Sequence, residues 1–145
     1  MKFIDEIKAR AKQDVKTIVL PETRDKRTLI AAAQVLKEGT AKLVMVGDEE
    51  KIRDGAHWLD VELDGITVVN PETSPKLDEY VNLLYELRKK KGMTLESARE
   101  QLLNNYIMFG VMMVKCKDAD GMVAGCCHAT ADVLRPSLQI LKTAP

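Results

Sequence analysis

The sequence predicts an α/β fold of three layers, with a mostly parallel sheet between two layers of helices. Short runs rich in β-branched residues alternate with longer amphipathic segments over residues 17–70, which is typical of repeated β-α units. Each short run ends at a glycine or near a proline, and both residues break strands. Ligands of such sheets gather at the carboxyl ends of the strands. We therefore expect a functional site in the segments that follow the strands.

The first β-α unit follows an N-terminal segment in which charged and apolar residues alternate at helical spacing. This segment, residues 1–8, lacks the uninterrupted apolar core of a signal peptide. A strand is predicted over residues 17–20 and a helix over residues 25–37. The apolar face of that helix consists of Leu29, Ala32, Ala33 and Leu36. Gly39 ends the helix, because glycine readily adopts the left-handed conformation that closes helices.

Two further strands are predicted before the pattern changes. The second strand spans residues 42–46 and stops at a glycine. Asp48 can cap a short helix that reaches about Asp54. The third strand spans residues 66–69 and is closed by an Asn-Pro pair.

Three consecutive helices and one more β-α unit are predicted after the third strand. The helices span residues 76–91, 94–103 and 105–117. The third of them is apolar nearly all round, so we expect it to be buried. A fourth strand over residues 121–124 and a last helix that reaches about Leu141 follow.

Composition excludes several classes of function. The 22 basic residues balance 22 acidic ones, which argues against bulk attraction for a nucleic acid or an anionic membrane. Aromatic residues make up 4% of the chain, too few for base-stacking platforms. The longest apolar run, about residues 106–114, is too short to span a bilayer. Three cysteines, an odd number, do not make a disulfide framework, and we expect a cytoplasmic protein.

The strongest candidate site is the segment 125–136, which follows the fourth predicted strand. Its first residues are small and allow a sharp turn and the close approach of a ligand. Thr130 and Asp132 can cap the next helix, and Pro136 suits its first turn. The N–H groups of a helix start and the forked cation of Arg135 suit an oxyanion such as phosphate. An ordinary capped helix with an exposed arginine explains the same residues equally well.

A second candidate lies at the end of the first of the three consecutive helices. Tyr80, Leu84 and Leu87 are predicted to form its buried stripe. Arg88 lies at the margin of that stripe and should point partly inward, and Lys91 returns to a similar direction. The residues alone favour another interpretation, in which basic side chains stabilise the dipole at the carboxyl end of the helix.

The cysteine and histidine residues do not predict a metal centre. Their spacing lacks the paired C-x-x-C pattern of metal ligands. The residues concerned are Cys116, Cys126, Cys127 and His128. We expect small buried thiols near a turn, and a histidine that bonds within its own turn and is not a general base.

The segment after the first predicted strand contains polar residues that a cleft could use. Glu22 or Arg24 can line a cleft there, since α/β proteins often place functional loops after strands. We favour the alternative, in which Thr23 or Asp25 caps the next helix and its neighbours are solvated.

Several short motifs occur together at consistent spacing over nearly the whole chain. They are Leu20-Pro21-Glu22, Tyr85-Glu86-Leu87-Arg88-Lys89 with Lys91-Gly92, Met112-Met113-Val114-Lys115, Ala119-Asp120-Gly121, His128-Ala129-Thr130-Ala131-Asp132, Leu134-Arg135-Pro136 and Lys142-Thr143-Ala144. In this order they closely resemble the phosphate acetyltransferase family. The phosphate butyryltransferase branch is a weaker match.

The resemblance implies an acyltransferase that interconverts acetyl-CoA and phosphate with acetyl phosphate and CoA. It also implies a two-domain α/β fold similar to the isocitrate and isopropylmalate dehydrogenases. Residues 1–145 would then be the N-terminal part of an incomplete first domain, without the second domain or the C-terminal return segment. The serine and aspartate with which the family acts on the tetrahedral intermediate and the CoA thiol belong to that other part, so we expect the isolated segment to be inactive. A non-catalytic domain that binds a phosphate ligand or a partner is the alternative.

The resemblance further implies which residues bind the substrates. Arg88 and Arg135 match two cleft arginines that bind CoA or the acyl phosphate, and Thr130 matches a small hydroxyl residue near the phosphate. Asp132 and Lys91 are further candidates. No catalytic residue is expected in this segment, because the serine and aspartate belong to the other part of the family's chain. No metal is expected, and no cofactor either, since CoA takes part as a substrate. We expect small-molecule partners, no nucleic acid or membrane, and a homodimer for the full-length protein.

Overall fold

A computed structural model describes residues 2–145, which form four strands, seven α-helices and a short 3₁₀ turn. The elements follow in the order α1 (Lys2–Gln13), β1 (Thr17–Leu20), α2 (Lys26–Glu38), β2 (Lys42–Val46), α3 (Glu49–Trp58), β3 (Thr67–Val69), α4 (Leu77–Arg88), the 3₁₀ turn (Lys89–Lys91), α5 (Leu95–Asn104), α6 (Tyr106–Lys115), β4 (Gly121–Met122) and α7 (Thr130–Ile140). The first two strands have the predicted bounds, and β4 is shorter than predicted.

The four strands form one parallel sheet in the order β3-β2-β1-β4. Val19 of β1 lies opposite Val44 of β2 on one side and opposite Met122 of β4 on the other. Because all strands run the same way, their carboxyl ends meet at one edge of the sheet. The segments after β1 and β4 therefore become neighbours, although most of the chain separates them in sequence.

Successive residues of β2 face opposite sides of the sheet and help to build two hydrophobic cores. Val44 and Val46 pack with Val19 in the core that includes residues of α4, α5, α6 and α7. Leu43 and Met45 pack on the other face, against α2 and α3. Helices thus cover both faces of a parallel sheet, which confirms the predicted three-layer α/β fold.

The third of the consecutive helices, α6, lies inside the larger core, as predicted. Every residue from 107 to 113 is buried, because α6 contacts three strands of the sheet as well as α4, α5 and α7. Phe109 packs edge-on against Tyr80 of α4, with ring centroids 5.2 Å apart. The apolar surface of α6 is therefore used by the protein core. None of the helices described over residues 2–145 combines the length and the apolarity that crossing a membrane requires.

Local capping residues begin and end α2 as predicted. The Asp25 side chain accepts a hydrogen bond from the Arg27 N–H at 2.8 Å, which satisfies one of the free N–H groups at the helix start. Gly39 closes the helix in the left-handed conformation, with φ of 70°, and its N–H donates to the Val35 carbonyl.

The helix α3 begins as predicted but ends later. Asp48 caps it by accepting from the Lys51 N–H at 3.0 Å. The helix then continues to Trp58 rather than ending near Asp54. The extra turn forms because Ala56 is buried on the same side as the start of the helix, against the smaller core.

The start of α7 differs from the prediction. Its N-cap residue is Ala129, which provides no side-chain cap, so neither Thr130 nor Asp132 caps the helix. Pro136 lies inside α7, about two turns from its start, and not in the first turn. A proline there has no N–H to donate to the Asp132 carbonyl. The ring of Pro136 is buried, so packing offsets the missing hydrogen bond.

Gly47, which follows β2, occupies a position that no larger residue fits. It is buried, its φ is 155°, and a Cβ there would lie 2.8 Å from Thr23 Oγ1 and 3.3 Å from Ile52 Cδ1. Thr23 is held in place, because its hydroxyl donates to the buried Val46 carbonyl at 2.8 Å. We expect Gly47→Ala to lower the free energy of unfolding by about 2 kcal/mol in urea denaturation.

Gly65→Ala is the matched control for this substitution. Gly65 also has a positive φ, of 88°, but a Cβ there would meet no atom within 4 Å. The free energy of unfolding should therefore fall clearly less in Gly65→Ala than in Gly47→Ala. Equal losses in the two variants would contradict the steric explanation.

Candidate functional site

A cavity of about 1010 Å³ opens at the edge of the sheet where the strands end. Its walls come from the loop after β1, the end of α4, the junction of α5 and α6, and the turn and helix after β4. This is the position at which a parallel sheet is expected to bind a ligand. The charged residues that line it are Arg24, Arg88, Lys91, Arg135, Glu22, Glu72 and Asp132.

The end of α4 brings two cations to the cavity. Arg88 is the last residue of α4 and is half-buried. The 3₁₀ turn that follows closes at Gly92, whose φ of 88° reverses the backbone and leaves Lys91 on the cavity wall. Lys89 is engaged elsewhere, because its Nζ pairs with Glu86 Oε2 at 2.6 Å. The structure therefore selects Arg88 and Lys91 from the basic run.

The buried stripe that orients α4 is shorter than predicted. Tyr80 and Leu84 are buried, but Leu87 is 39% exposed. Packing of the earlier turns against the core therefore directs Arg88 to the cavity, and Leu87 contributes little to that orientation.

The helix α7 provides another wall. Pro136 and Ile140 are buried and hold this helix against the core, so that Arg135 and Asp132, one turn apart, both line the cavity. Thr130 lies at the exposed start of α7 and is not among the lining residues. Four of the five residues singled out from the sequence thus line one cavity: Arg88, Lys91, Asp132 and Arg135.

Three of the cavity's cations lack a carboxylate partner among the residues that the structure describes. Across residues 2–145, no ion pair within 4.0 Å involves Arg88, Lys91 or Arg135. Arg24 lies over the Tyr106 ring, 5.4 Å from its centroid. Although Glu22, Glu72 and Asp132 also line the cavity, none of them forms an ion pair with these three cations over residues 2–145. Such a cavity suits a ligand that carries several negative charges.

Glu22 has a role that differs from the predicted one. It is 4% exposed, not solvated, and it accepts hydrogen bonds from the turn after β4. Its Oε1 accepts from the N–H groups of Gly125 and Cys126 at 2.5 and 3.1 Å, and its Oε2 accepts from the Cys127 N–H at 2.8 Å. The Cys127 thiol and His128 Nδ1 also donate to Oε2, at 3.1 and 2.8 Å. One carboxylate thus holds the whole 125–128 turn.

This arrangement changes where an external anion can bind. Successive N–H groups in a turn form a concave site for an anion, and Gly125, with φ of 118°, permits that shape. Here the Glu22 carboxylate is the anion. The N–H groups of residues 125–127 are therefore not free for a phosphate, and the cation of this segment, Arg135, is a candidate to bind one.

The hydrogen bonds of the turn set the protonation of its groups. Burial alone would raise the pKa of the Glu22 carboxyl, but the hydrogen bonds from His128, Cys127 and Cys126 outweigh it and hold that pKa well below its usual range. Desolvation of the Cys127 sulfur and its hydrogen bond to Glu22 raise the pKa of the Cys127 thiol to about 12. Cys127 is therefore a neutral thiol near neutral pH and a poor nucleophile.

The thiols and His128 differ from their predicted environments. Cys126 and Cys127 are exposed and Cys116 is half-buried, so these are not small buried thiols. His128 pairs with Glu22 and not only within its own turn, where Cys127 Sγ lies 3.5 Å from Nδ1. Ligand atoms of Glu22, Cys126 and Cys127 lie within 4.8 Å of one another, which is close enough to hold a metal ion.

One sequence signal could have identified Glu22. It lies immediately beyond β1, at the edge of the sheet where ligands and functional loops gather. Its partners, however, lie beyond β4, and nothing in the local sequence indicates that β1 and β4 are adjacent.

The sequence and the fold of this chain are similar to those of known proteins. Residues 2–145 match the family model described as "Phosphate acetyl/butaryl transferase". The chain is 52% identical over 145 residues to the phosphate acetyltransferase of Acetivibrio thermocellus and 48% identical over 145 residues to that of Clostridium acetobutylicum. Both matches cover 100% of this chain and 43% of the relative.

A solved structure matches this chain over a similar share of its own length. The crystal structure of a phosphotransacetylase from Streptococcus pyogenes matches with a TM-score of 0.92 and 36% identity, over 99% of this chain and 43% of that one. The chain described here therefore spans less than half the length of these relatives.

Proposed function

Because the chain belongs to the phosphate acetyl/butaryl transferase family, we propose that it forms one wall of the substrate cleft of a phosphate acetyltransferase. The reaction moves an acetyl group between CoA and phosphate. The observation that carries this proposal is the convergence of Arg88 and Arg135, from α4 and α7, on one cavity. Over residues 2–145, neither arginine has a carboxylate partner there.

The two arginines suit the charges of the substrates. Acetyl phosphate and the phosphates of CoA present oxyanions, which a planar guanidinium binds through two parallel hydrogen bonds. Each charge-assisted hydrogen bond contributes about 1.5–3 kcal/mol. We propose that Arg88 and Arg135 bind the acyl phosphate and CoA, and that Lys91 and Asp132 are further contacts on the same walls. Thr130, at the exposed start of α7, would require a ligand that extends beyond the cavity.

The proposed chemistry is direct acyl transfer. The CoA thiolate attacks the acetyl carbonyl, a C–S bond forms, the carbonyl oxygen carries negative charge, and the C–O bond to phosphate breaks as phosphate leaves. Preorganised cations in a cleft stabilise such developing charge. CoA takes part as a substrate, and the step requires no redox cofactor or metal. We assign binding to residues of this chain and leave thiol deprotonation to groups outside residues 2–145.

The names of the relatives favour acetyl transfer over butyryl transfer as the reaction of this protein. The two curated proteins that are 52% and 48% identical to this chain are both named phosphate acetyltransferase. The three free thiols fit a reducing compartment, and we propose that the protein acts in the cytoplasm. Membership of the family supports the further proposal that the full-length protein is a homodimer.

An activity assay tests this proposal. We expect the protein, at the length at which its gene encodes it, to form acetyl phosphate from acetyl-CoA and phosphate, and residues 1–145 alone to form none. Release of CoA, followed with a thiol reagent, measures the rate. Butyryl-CoA is the control substrate and should be used less efficiently. Absence of turnover in the full-length protein would instead support a non-catalytic domain that binds phosphate ligands.

A further inference from the structure

Four side chains with metal-binding atoms meet on the turn after β4. We call them the Glu22 cluster: Glu22, Cys126, Cys127 and His128. Cys127 Sγ lies 3.1 Å from Glu22 Oε2 and 3.5 Å from His128 Nδ1, and Nδ1 lies 2.8 Å from Oε2. Cys126 Sγ lies within 4.8 Å of a ligand atom of Glu22 and of Cys127. Ligand atoms of Glu22, Cys126 and Cys127 thus lie within 4.8 Å of one another, and His128 Nδ1 adjoins two of these three residues.

These separations are close to those of a zinc site. With Zn–S bonds of about 2.3 Å and Zn–N or Zn–O bonds of about 2.0–2.2 Å, the ligand atoms of a tetrahedron lie about 3.3–3.8 Å apart. The separation of Cys127 Sγ from His128 Nδ1, 3.5 Å, lies in this range, whereas the Oε2 separations of 2.8 and 3.1 Å are shorter, so binding an ion would move these donors apart. Two thiols and an imidazole are soft or borderline donors, which favour Zn²⁺ over the hard cations Mg²⁺ and Ca²⁺.

We propose that the Glu22 cluster binds a thiophilic divalent cation such as Zn²⁺. The cation replaces protons that now bridge these groups, since the Cys127 thiol and His128 Nδ1 both donate to Glu22 Oε2. Each of the two thiols releases one proton to solvent as its sulfur binds the metal. His128 binds through Nδ1 as the tautomer with its proton on Nε2, so the proton that Nδ1 now donates to Glu22 moves to Nε2 by exchange with water. Glu22 Oε1 keeps the N–H groups of Gly125 and Cys126, so the turn stays anchored.

An ion can reach this site from solvent. Cys126 and Cys127 are exposed, and the His128 side chain is 41% exposed. The cation that lies nearby, Arg27, donates to the Cys126 carbonyl at 2.5 Å, but its charge is balanced by Asp25 at 2.8 Å. The site is therefore accessible, and the charge beside it is compensated.

A cobalt titration tests the site, because Co²⁺ occupies zinc sites and its spectrum reports thiolate ligands. The purified full-length protein, kept reduced with a phosphine, should develop a thiolate-to-cobalt charge-transfer band that one equivalent of Zn²⁺ abolishes. The double variant Cys126→Ser/Cys127→Ser should lose the band, and Cys116→Ser, which changes the half-buried cysteine, should keep it. Absence of the band in the parent protein, or its persistence in the double variant, would overturn the proposal.

The histidine is tested by a variant that keeps both thiols. His128→Ala should retain the charge-transfer band but bind Zn²⁺ at least about tenfold more weakly in competition with a chelating dye. Unchanged zinc affinity would remove His128 from the site. Circular dichroism of each variant shows whether it is folded. The cobalt spectrum and the zinc affinity do not depend on turnover, so they test the metal site independently of acyl transfer.

Discussion

Replacing Arg135 with alanine is expected to lower kcat/KM for acetyl phosphate by roughly 10- to 100-fold. The guanidinium lines the cavity and pairs with no carboxylate of the part of the chain that the structure describes, so its charge is available to the ligand. Losing charge-assisted hydrogen bonds worth about 1.5–3 kcal/mol gives this range, because each 1.4 kcal/mol is about a tenfold change in rate. The measurement is the steady-state rate of acetyl transfer by the full-length enzyme.

Two further variants separate charge from geometry. Arg135→Lys keeps the charge but not the planar fork, so it should recover only part of the activity. Arg53→Ala is the matched control, since Arg53 lies on α3, on the other face of the sheet, where it pairs with Glu49 at 3.2 Å. That variant should keep the parent rate.

Adding Arg88→Ala to Arg135→Ala tests whether the two cations bind one ligand. Removal of both should cost more than either alone, and the two losses should not simply add if the arginines share an oxyanion. A folded Arg135→Ala enzyme with unchanged kcat/KM would contradict the role proposed for this residue.

The elements that the sequence predicts well are those whose signals are local. The caps of α2 lie within four residues of the backbone groups that they satisfy, at Asp25 and Gly39. The bounds of β1 and β2 follow from short β-branched runs that stop at a proline and a glycine. The start of α7 was harder to predict, because packing of the buried Pro136 overrides the usual place of proline in a first turn.

The residues of the candidate site also differ in how far the sequence alone could identify them. Arg88 and Arg135 were selected because they lie in short motifs that resemble those of the phosphate acetyltransferase family. Their residue patterns alone favoured a helix-dipole role for Arg88 and left an ordinary capped helix equally open for Arg135. The role of Glu22 was not identifiable, because it depends on a contact with residues 125–128, across nearly the whole chain. Which strands are adjacent is a property of the tertiary structure. Glu22 contacts the turn after β4 because β4 lies next to β1 in the sheet.

Glu22→Ala is expected to lower the free energy of unfolding by about 3 kcal/mol. The carboxylate accepts three backbone N–H groups, a thiol and an imidazole, and hydrogen bonds to a charged acceptor contribute about 1.5–3 kcal/mol each. The loss is smaller than their sum, because Cys126 and Cys127 are exposed and water can replace part of the lost hydrogen bonds. Urea denaturation measures the change.

Hydrogen exchange assigns the loss to the turn. In Glu22→Ala the backbone N–H groups of residues 125–127 lose their acceptor, so their exchange should accelerate while that of the buried helix α6 changes only as far as global stability does. Glu72→Ala is the matched control, because Glu72 lines the same cavity but is exposed, and it should leave both stability and exchange unchanged. Glu22→Gln should fall between the two, since its carbonyl oxygen can still accept from Gly125 and Cys126 while its NH₂ cannot accept from Cys127. Parent-like exchange of these three N–H groups in Glu22→Ala would mean that the turn is held by other contacts, such as Arg27 on the Cys126 carbonyl.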